Sequence, residues 1–64
     1  QLKLSEMITA ALRRGERDFE LQKYTKAFNE YRTVTILTGD PNNKNYQLAE
    51  KRKEAIKLIL QGSK

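Results

Sequence analysis

The chain contains no cysteine, no histidine and no tryptophan, and it has one proline and three glycines. Without cysteine it can form neither disulfides nor thiolate metal sites, and without histidine it lacks the commonest metal ligand and the commonest general base. The carboxylates that remain are those of any helix surface. The composition therefore predicts a protein that is not an enzyme and that uses no cofactor or metal.

Long hydrophobic runs are also missing. No apolar segment approaches the roughly 18 residues of a membrane span, so the sequence predicts no transmembrane helix. A chain of 64 residues forms one small domain that buries roughly 60% of its unfolded surface, which leaves a thin stability margin. We therefore expect a single domain over residues 1–64. Because the chain starts at Gln1 and not at a methionine, we also expect it to be part of a longer protein.

The charge is positive but mixed. Thirteen basic residues and eight acidic ones give a formal net charge of +5. Arg13-Arg14 is followed by Glu16, and Lys51-Arg52-Lys53 lies between two glutamates. Such interleaving is typical of a solvated helical surface, whereas nucleic-acid modules more often carry a one-sided basic stripe with aromatic residues. The pattern does not favour nucleic acid, although a basic domain that binds nucleic acid or an acidic surface stays an alternative.

Apolar residues near the start of the chain recur in steps of three and four, which predicts a helix over about residues 5–21. The members of this row are Leu4, Met7, Ile8, Ala11, Leu12 and Phe19. Ser5 is the expected N-cap, and Asp18 can pair with Arg14 or cap the next helix. Gly15 completes the row at a cost of about 0.8–1 kcal/mol relative to alanine, so we interpret it as a point of close helix approach.

A second helix is predicted over residues 24–38 by the same spacing. Its apolar row comprises Tyr24, Ala27, Phe28, Tyr31, Val34 and Leu37. Gly39 fits a left-handed C-terminal cap, and Asp40-Pro41 fits an N-cap followed by the first residue of a third helix. Short connections of this kind join antiparallel neighbours.

The third helix is predicted over about residues 42–61, with Gly62 as its stop. Its last two turns, "AIKLIL", form the most apolar stretch of the chain. A helix with an apolar end and a polar middle can cover another core, so we expect this end to mediate self-association. The residues expected to do so are Ile56, Leu58, Ile59 and Leu60.

The first two helices resemble the tetratricopeptide (TPR) family over roughly residues 8–43. The similarity lies in the glycine-to-tyrosine spacing, in "YTKAFNEY" and in the turn "DPNN". The matching positions are Ala11, Gly15, Tyr24, Ala27, Tyr31, Val34, Leu37 and Pro41. The resemblance implies an all-α fold, an antiparallel TPR-like helix-turn-helix hairpin, with the third, C-terminal helix as a cap.

In TPR proteins the first helix of each repeat lines a groove that binds peptides. The resemblance therefore implies a non-catalytic scaffold for protein–protein interaction that binds a peptide or partner helix and can form a homo-oligomer. The exposed side of the first helix supplies the expected partner-binding residues. These are Thr9, Leu12, Arg13, Glu16 and Glu20.

A second family is also similar. The segment "LRRGERDFELQKYTKAFNEY", residues 12–31, resembles the MIT domain, a three-helix module. The apolar face of the third helix suits that module as well. This resemblance implies the alternative function of binding short helical motifs.

Overall fold

The computed structural model describes residues 3–62, which form three helices. They are α1 (Leu4–Glu20), α2 (Tyr24–Thr38) and α3 (Lys44–Gly62). No strand occurs within residues 3–62, so the all-α prediction is confirmed, as are the helix ranges to within two residues at each end. Gly62, the predicted stop of the third helix, is the last helical residue described. None of the three helices is long and apolar enough to cross a membrane.

The start of α1 differs from the prediction. Ser5 lies inside the helix, where its carbonyl accepts a hydrogen bond from Thr9 Oγ1 at 2.9 Å. The N-cap is Lys3, whose backbone N–H donates to Glu6 Oε1 at 3.1 Å. A glutamate three residues after the cap can satisfy the cap's own N–H, and the helix therefore begins before Ser5.

The end of α2 follows the prediction. Gly39 has a φ of 62°, in the left-handed region, and its N–H donates to the Thr35 carbonyl at 3.0 Å. This bond satisfies one of the carbonyls that a helix C-terminus leaves without an intrahelical partner. The turn between α1 and α2 uses the same conformation without a glycine, because Gln22 has a φ of 63°.

The start of α3 was predicted too early. Asp40-Pro41 forms a turn in which the aspartate Oδ1 accepts from the N–H two residues on, at 3.0 Å, and the helix begins only at Lys44. Asn43 is the cap: its Oδ1 accepts from the N–H groups of Asn45 at 2.8 Å and Tyr46 at 3.3 Å. Asparagine is among the best N-cap residues, and it overrides the aspartate–proline signal here.

Helix α2 is central, since it packs against both α1 and α3, while α1 and α3 touch only slightly. The three helices thus form a thin layer that measures 42 × 23 × 13 Å. Its core consists of small and branched apolar residues around one tyrosine. The buried apolar residues are Ile8, Ala11, Ala27, Tyr31, Val34, Ala49 and Ile56.

One residue of the predicted self-association set belongs to this core. Ile56 is fully buried within the chain itself, so a second copy cannot reach it while the fold is intact. The sequence pattern put it with its exposed neighbours because "AIKLIL" is apolar on nearly every side of the helix.

Gly15 lies in close contact with the second helix of the hairpin. A Cβ at this position would stand 3.1 Å from the Tyr31 ring atoms Cε1 and Cζ. The interpretation of Gly15 as a point of close approach is therefore confirmed, and Tyr31 is the residue that makes the approach.

Candidate partner-binding groove

An open groove of about 500 Å³ runs along α1 beside α3. All five residues expected to bind a partner line it, together with Arg17 and, from α3, Leu48. The spacing could have indicated Arg17, which follows Arg13 by one helical turn. Leu48 could not be found this way, because only the packing of α3 brings it to α1.

Two rows of side chains run along the α1 wall, each in steps of four residues. One row holds Leu12, Glu16 and Glu20, and the other holds Thr9, Arg13 and Arg17. Leu12 packs against the core, and Leu48 lies across from it with 36% of its surface exposed. The groove therefore has an apolar part, one acidic row and one basic row.

Arg52 of α3 connects the two walls. Its Nη2 lies 3.8 Å from Glu16 Oε2, and its guanidinium carbon lies 5.2 Å from the centre of the Phe19 ring. The ion pair is long and partly exposed, so its contribution to stability is small. Its effect is on position, since it holds the Glu16 carboxylate toward α3.

Behind this contact, two polar atoms are enclosed without a hydrogen-bond partner in residues 3–62. They are the Tyr31 hydroxyl and Arg52 Nε. Burial raises the pKa of Tyr31 above its ordinary value of 10.0, the Glu16 carboxylate raises it further, and the nearby Arg52 guanidinium opposes both. The neutral hydroxyl is thus the form that this environment favours.

The arginines of α1 differ in what they face. Arg14 Nε lies 3.1 Å from Glu30 Oε1 of α2, and of the two roles considered for Asp18 the pair with Arg14 is not formed. Arg13 and Arg17 make no ion pair within the described part of the chain. Both arginines of the groove are therefore available to a partner.

The residues of the self-association prediction are spread over different surroundings. Leu58 is 65% exposed, whereas Ile59 is half-buried. Leu60 lines a second cavity, of about 430 Å³, at the turn between α1 and α2. No group of three or more acidic residues within residues 3–62 is arranged to hold a metal ion.

No family model matches this chain, and no curated protein or solved structure is similar enough to it to indicate a relationship. The helical hairpin with a third helix is a property of the structure itself. Membership of the TPR or the MIT family stays a prediction from the sequence.

Proposed function

We propose that the chain is a non-catalytic protein–protein interaction module, with a TPR-like scaffold, that binds a peptide or partner helix in the groove between α1 and α3. One observation supports this above all: the five residues chosen from sequence line a single groove of about 500 Å³. Grooves between helices accept amphipathic helices or extended peptides.

The chemistry of the groove fits a peptide ligand. Leu12 and Leu48 offer an apolar surface on which a partner side chain can be buried. Arg13, Arg17 and Glu20 surround it with charges that have no ion-pair partner in residues 3–62. An apolar centre with a charged rim is the usual anatomy of a protein interface, and arginine is enriched there.

The basic segment of α3 supports a protein partner better than nucleic acid. Lys53 Nζ lies 3.1 Å from Glu50 Oε2 and 5.7 Å from the centre of the Phe28 ring. Arg52 is engaged by Glu16 and Phe19. Two of the three basic side chains are thus turned toward their own fold, which leaves no one-sided basic stripe on this segment.

The test is a selection from a displayed library of random linear peptides, followed by affinity measurements on the enriched peptides. The Arg13→Glu variant is expected to weaken binding by about tenfold or more, because it reverses a charge at the rim of a groove. Arg32→Glu is the matched control, since Arg32 is an exposed arginine of α2 outside the groove. It should leave binding within about twofold.

Two results would contradict the proposal. One is a selection that enriches no peptide; the other is a set of peptides that bind both variants equally. The nucleic-acid alternative is tested by titrating a single-stranded DNA oligonucleotide at about 50 and 200 mM salt. Its affinity should fall steeply between the two if the chain binds nucleic acid, because such binding releases counterions.

A further inference from the structure

A stripe on α3 has the spacing of a coiled-coil seam. Its residues alternate in steps of four and three, the spacing of a heptad seam, and its apolar members are Leu48, Ala55 and Leu58. The stripe comprises Lys44, Leu48, Lys51, Ala55, Leu58 and Gly62. Ala49 and Ile56, the buried residues of the helix, lie roughly 130° around it at 3.6 residues per turn. The seam is therefore separate from the face that packs on α2.

The seam is open in the folded chain. Leu58 is 65% exposed and Leu48 is 36% exposed, while Lys51 is exposed and Ala55 is half-buried. One end of it borders the groove, through Leu48. The structure thus leaves an amphipathic helix face without a partner helix in residues 3–62.

We propose that a second copy of this chain packs its α3 antiparallel along the seam. The seam is self-complementary in that direction. When a two-fold axis crosses α3 near Lys53, Leu48 of each copy faces Leu58 of the other. In the same register Lys51 faces Ala55, whose small side chain leaves room for the lysine stem.

The charges favour the antiparallel arrangement as well. Lys51 makes no ion pair within residues 3–62, whereas Glu54 lies 3.6 Å from Lys57 and is largely exposed. In the antiparallel register, Lys51 of one copy reaches Glu54 of the other. A parallel pair would instead place Lys51 against Lys51, and like charges at a seam oppose association.

The proposed dimer does not depend on peptide binding. It uses Lys51, Ala55 and Leu58, which lie outside the groove, and it shares only Leu48 with it. The association measurements therefore leave Leu48 unchanged, and Leu48 is substituted only in the cross-linking test. The peptide experiment can be repeated on a chain with Leu58→Glu, so the two proposals can fail separately.

The first test is the mass of the chain in solution by sedimentation equilibrium, from about 10 µM to about 1 mM, the range of weak association. The wild type should pass from monomer toward dimer. Leu58→Glu should reduce the association constant by about tenfold or more, because it would enclose an unpaired charge at the seam. Ile36→Glu is the matched control, because Ile36 is equally exposed, at 67%, but lies on α2.

A variant that strengthens association distinguishes a contact at the seam from a loss of folding, which would also weaken association. Lys51→Leu replaces a charged seam residue by an apolar one and should strengthen the dimer.

The absence of native cysteine makes orientation testable by disulfides. Chains with Leu48→Cys mixed with chains with Leu58→Cys should form a mixed disulfide dimer, and neither variant alone should cross-link as readily.

Three outcomes would overturn the proposal. The first is a monomer at every concentration. The second is a dimer whose association constant is the same in the Leu58→Glu variant as in the Ile36→Glu variant. The third is faster cross-linking of Leu58→Cys alone than of the mixture, which would indicate a parallel pair.

Discussion

At the scale of single residues, the contact between Gly15 and Tyr31 sets the distance between α1 and α2. The Tyr31 ring is fully buried and lies against the backbone of Gly15. A glycine inside a helix is unfavourable in itself, so its presence here reflects the space that the ring requires. The low helix propensity of Gly15 is thus offset by the burial of the Tyr31 side chain.

Gly15→Ala is expected to destabilise the chain by about 1 kcal/mol. The gain in helix propensity is about 1 kcal/mol, but the new Cβ would stand 3.1 Å from a fully buried ring, and overpacking costs about 1–3 kcal/mol. Urea denaturation measures the difference. Gly62→Ala is the control, because no atom lies within 4 Å of a Cβ there. If Gly15→Ala stabilised the chain, Tyr31 would not constrain this position.

The Tyr31 hydroxyl makes stability depend on alkaline pH. Its pKa is raised by burial and by Glu16, so ionisation is harder in the folded chain than in the unfolded one. The resulting contribution to the free energy of unfolding is fully present below pH 10, the unfolded pKa, and is lost as the pH rises above it.

Tyr31→Phe should flatten this pH dependence. The hydroxyl makes no hydrogen bond of good geometry in residues 3–62, and the Arg52 guanidinium is the donor group nearby, so its removal should change stability at pH 7 by no more than about 1 kcal/mol in either direction. Urea midpoints between pH 7 and pH 11 test both points, with Tyr46→Phe in α3 as the control. A loss of more than about 1 kcal/mol at pH 7 would mean that the hydroxyl is hydrogen-bonded.

At the scale of elements, both turns between helices pass through a residue with positive φ. Gln22 has a φ of 63° and Gly39 a φ of 62°. The left-handed conformation costs roughly 1 kcal/mol for a residue with a Cβ and almost nothing for glycine. The first turn therefore stores strain that the second avoids.

Reciprocal substitutions should have opposite effects. Gln22→Gly is expected to stabilise the chain by about 0.5–1 kcal/mol, and Gly39→Ala to destabilise it by about 1 kcal/mol. Thermal unfolding followed by circular dichroism measures both. Effects of the same sign would show that the two turns do not share this conformation in solution.

At the scale of the whole molecule, stability depends on α3 as much as on the hairpin. Helix α2 packs against α1 on one side and against α3 on the other. Ala49 and Ile56 are the buried residues of α3, and Ile56 is one of the largest fully buried side chains. A domain of this length has a total stability of about 3–10 kcal/mol, so one such residue matters.

Ile56→Ala should lower the free energy of unfolding by about 2–5 kcal/mol, a large share of the total, because it opens a cavity in this small core. Leu58→Ala, two residues later on the exposed side, should change stability by no more than about 0.5 kcal/mol. Guanidinium denaturation of the two variants tests the assignment. Equal losses would mean that α3 packs with a different face.

The sequence by itself determined the three helices, the apolar rows of the hairpin and the role of Gly15 and Gly39, because these depend on residue spacing and local backbone preference. Through its resemblance to the TPR family, it also suggested one side of α1 as a groove wall. It misplaced both predicted N-caps: the N-cap of α1 is Lys3 and not Ser5, and the side chain that caps α3 is Asn43 and not Asp40.

Only the tertiary structure decided which side of α3 is buried. That helix is apolar nearly all round its end, so periodicity could not separate Ile56, in the core, from Leu58, in solvent. The opposite wall of the groove, Leu48, and the contact of Arg52 with Glu16 likewise depend on how α3 docks. These features depend on contacts between residues that are far apart in the sequence, and the spacing of apolar residues within one helix does not specify such contacts.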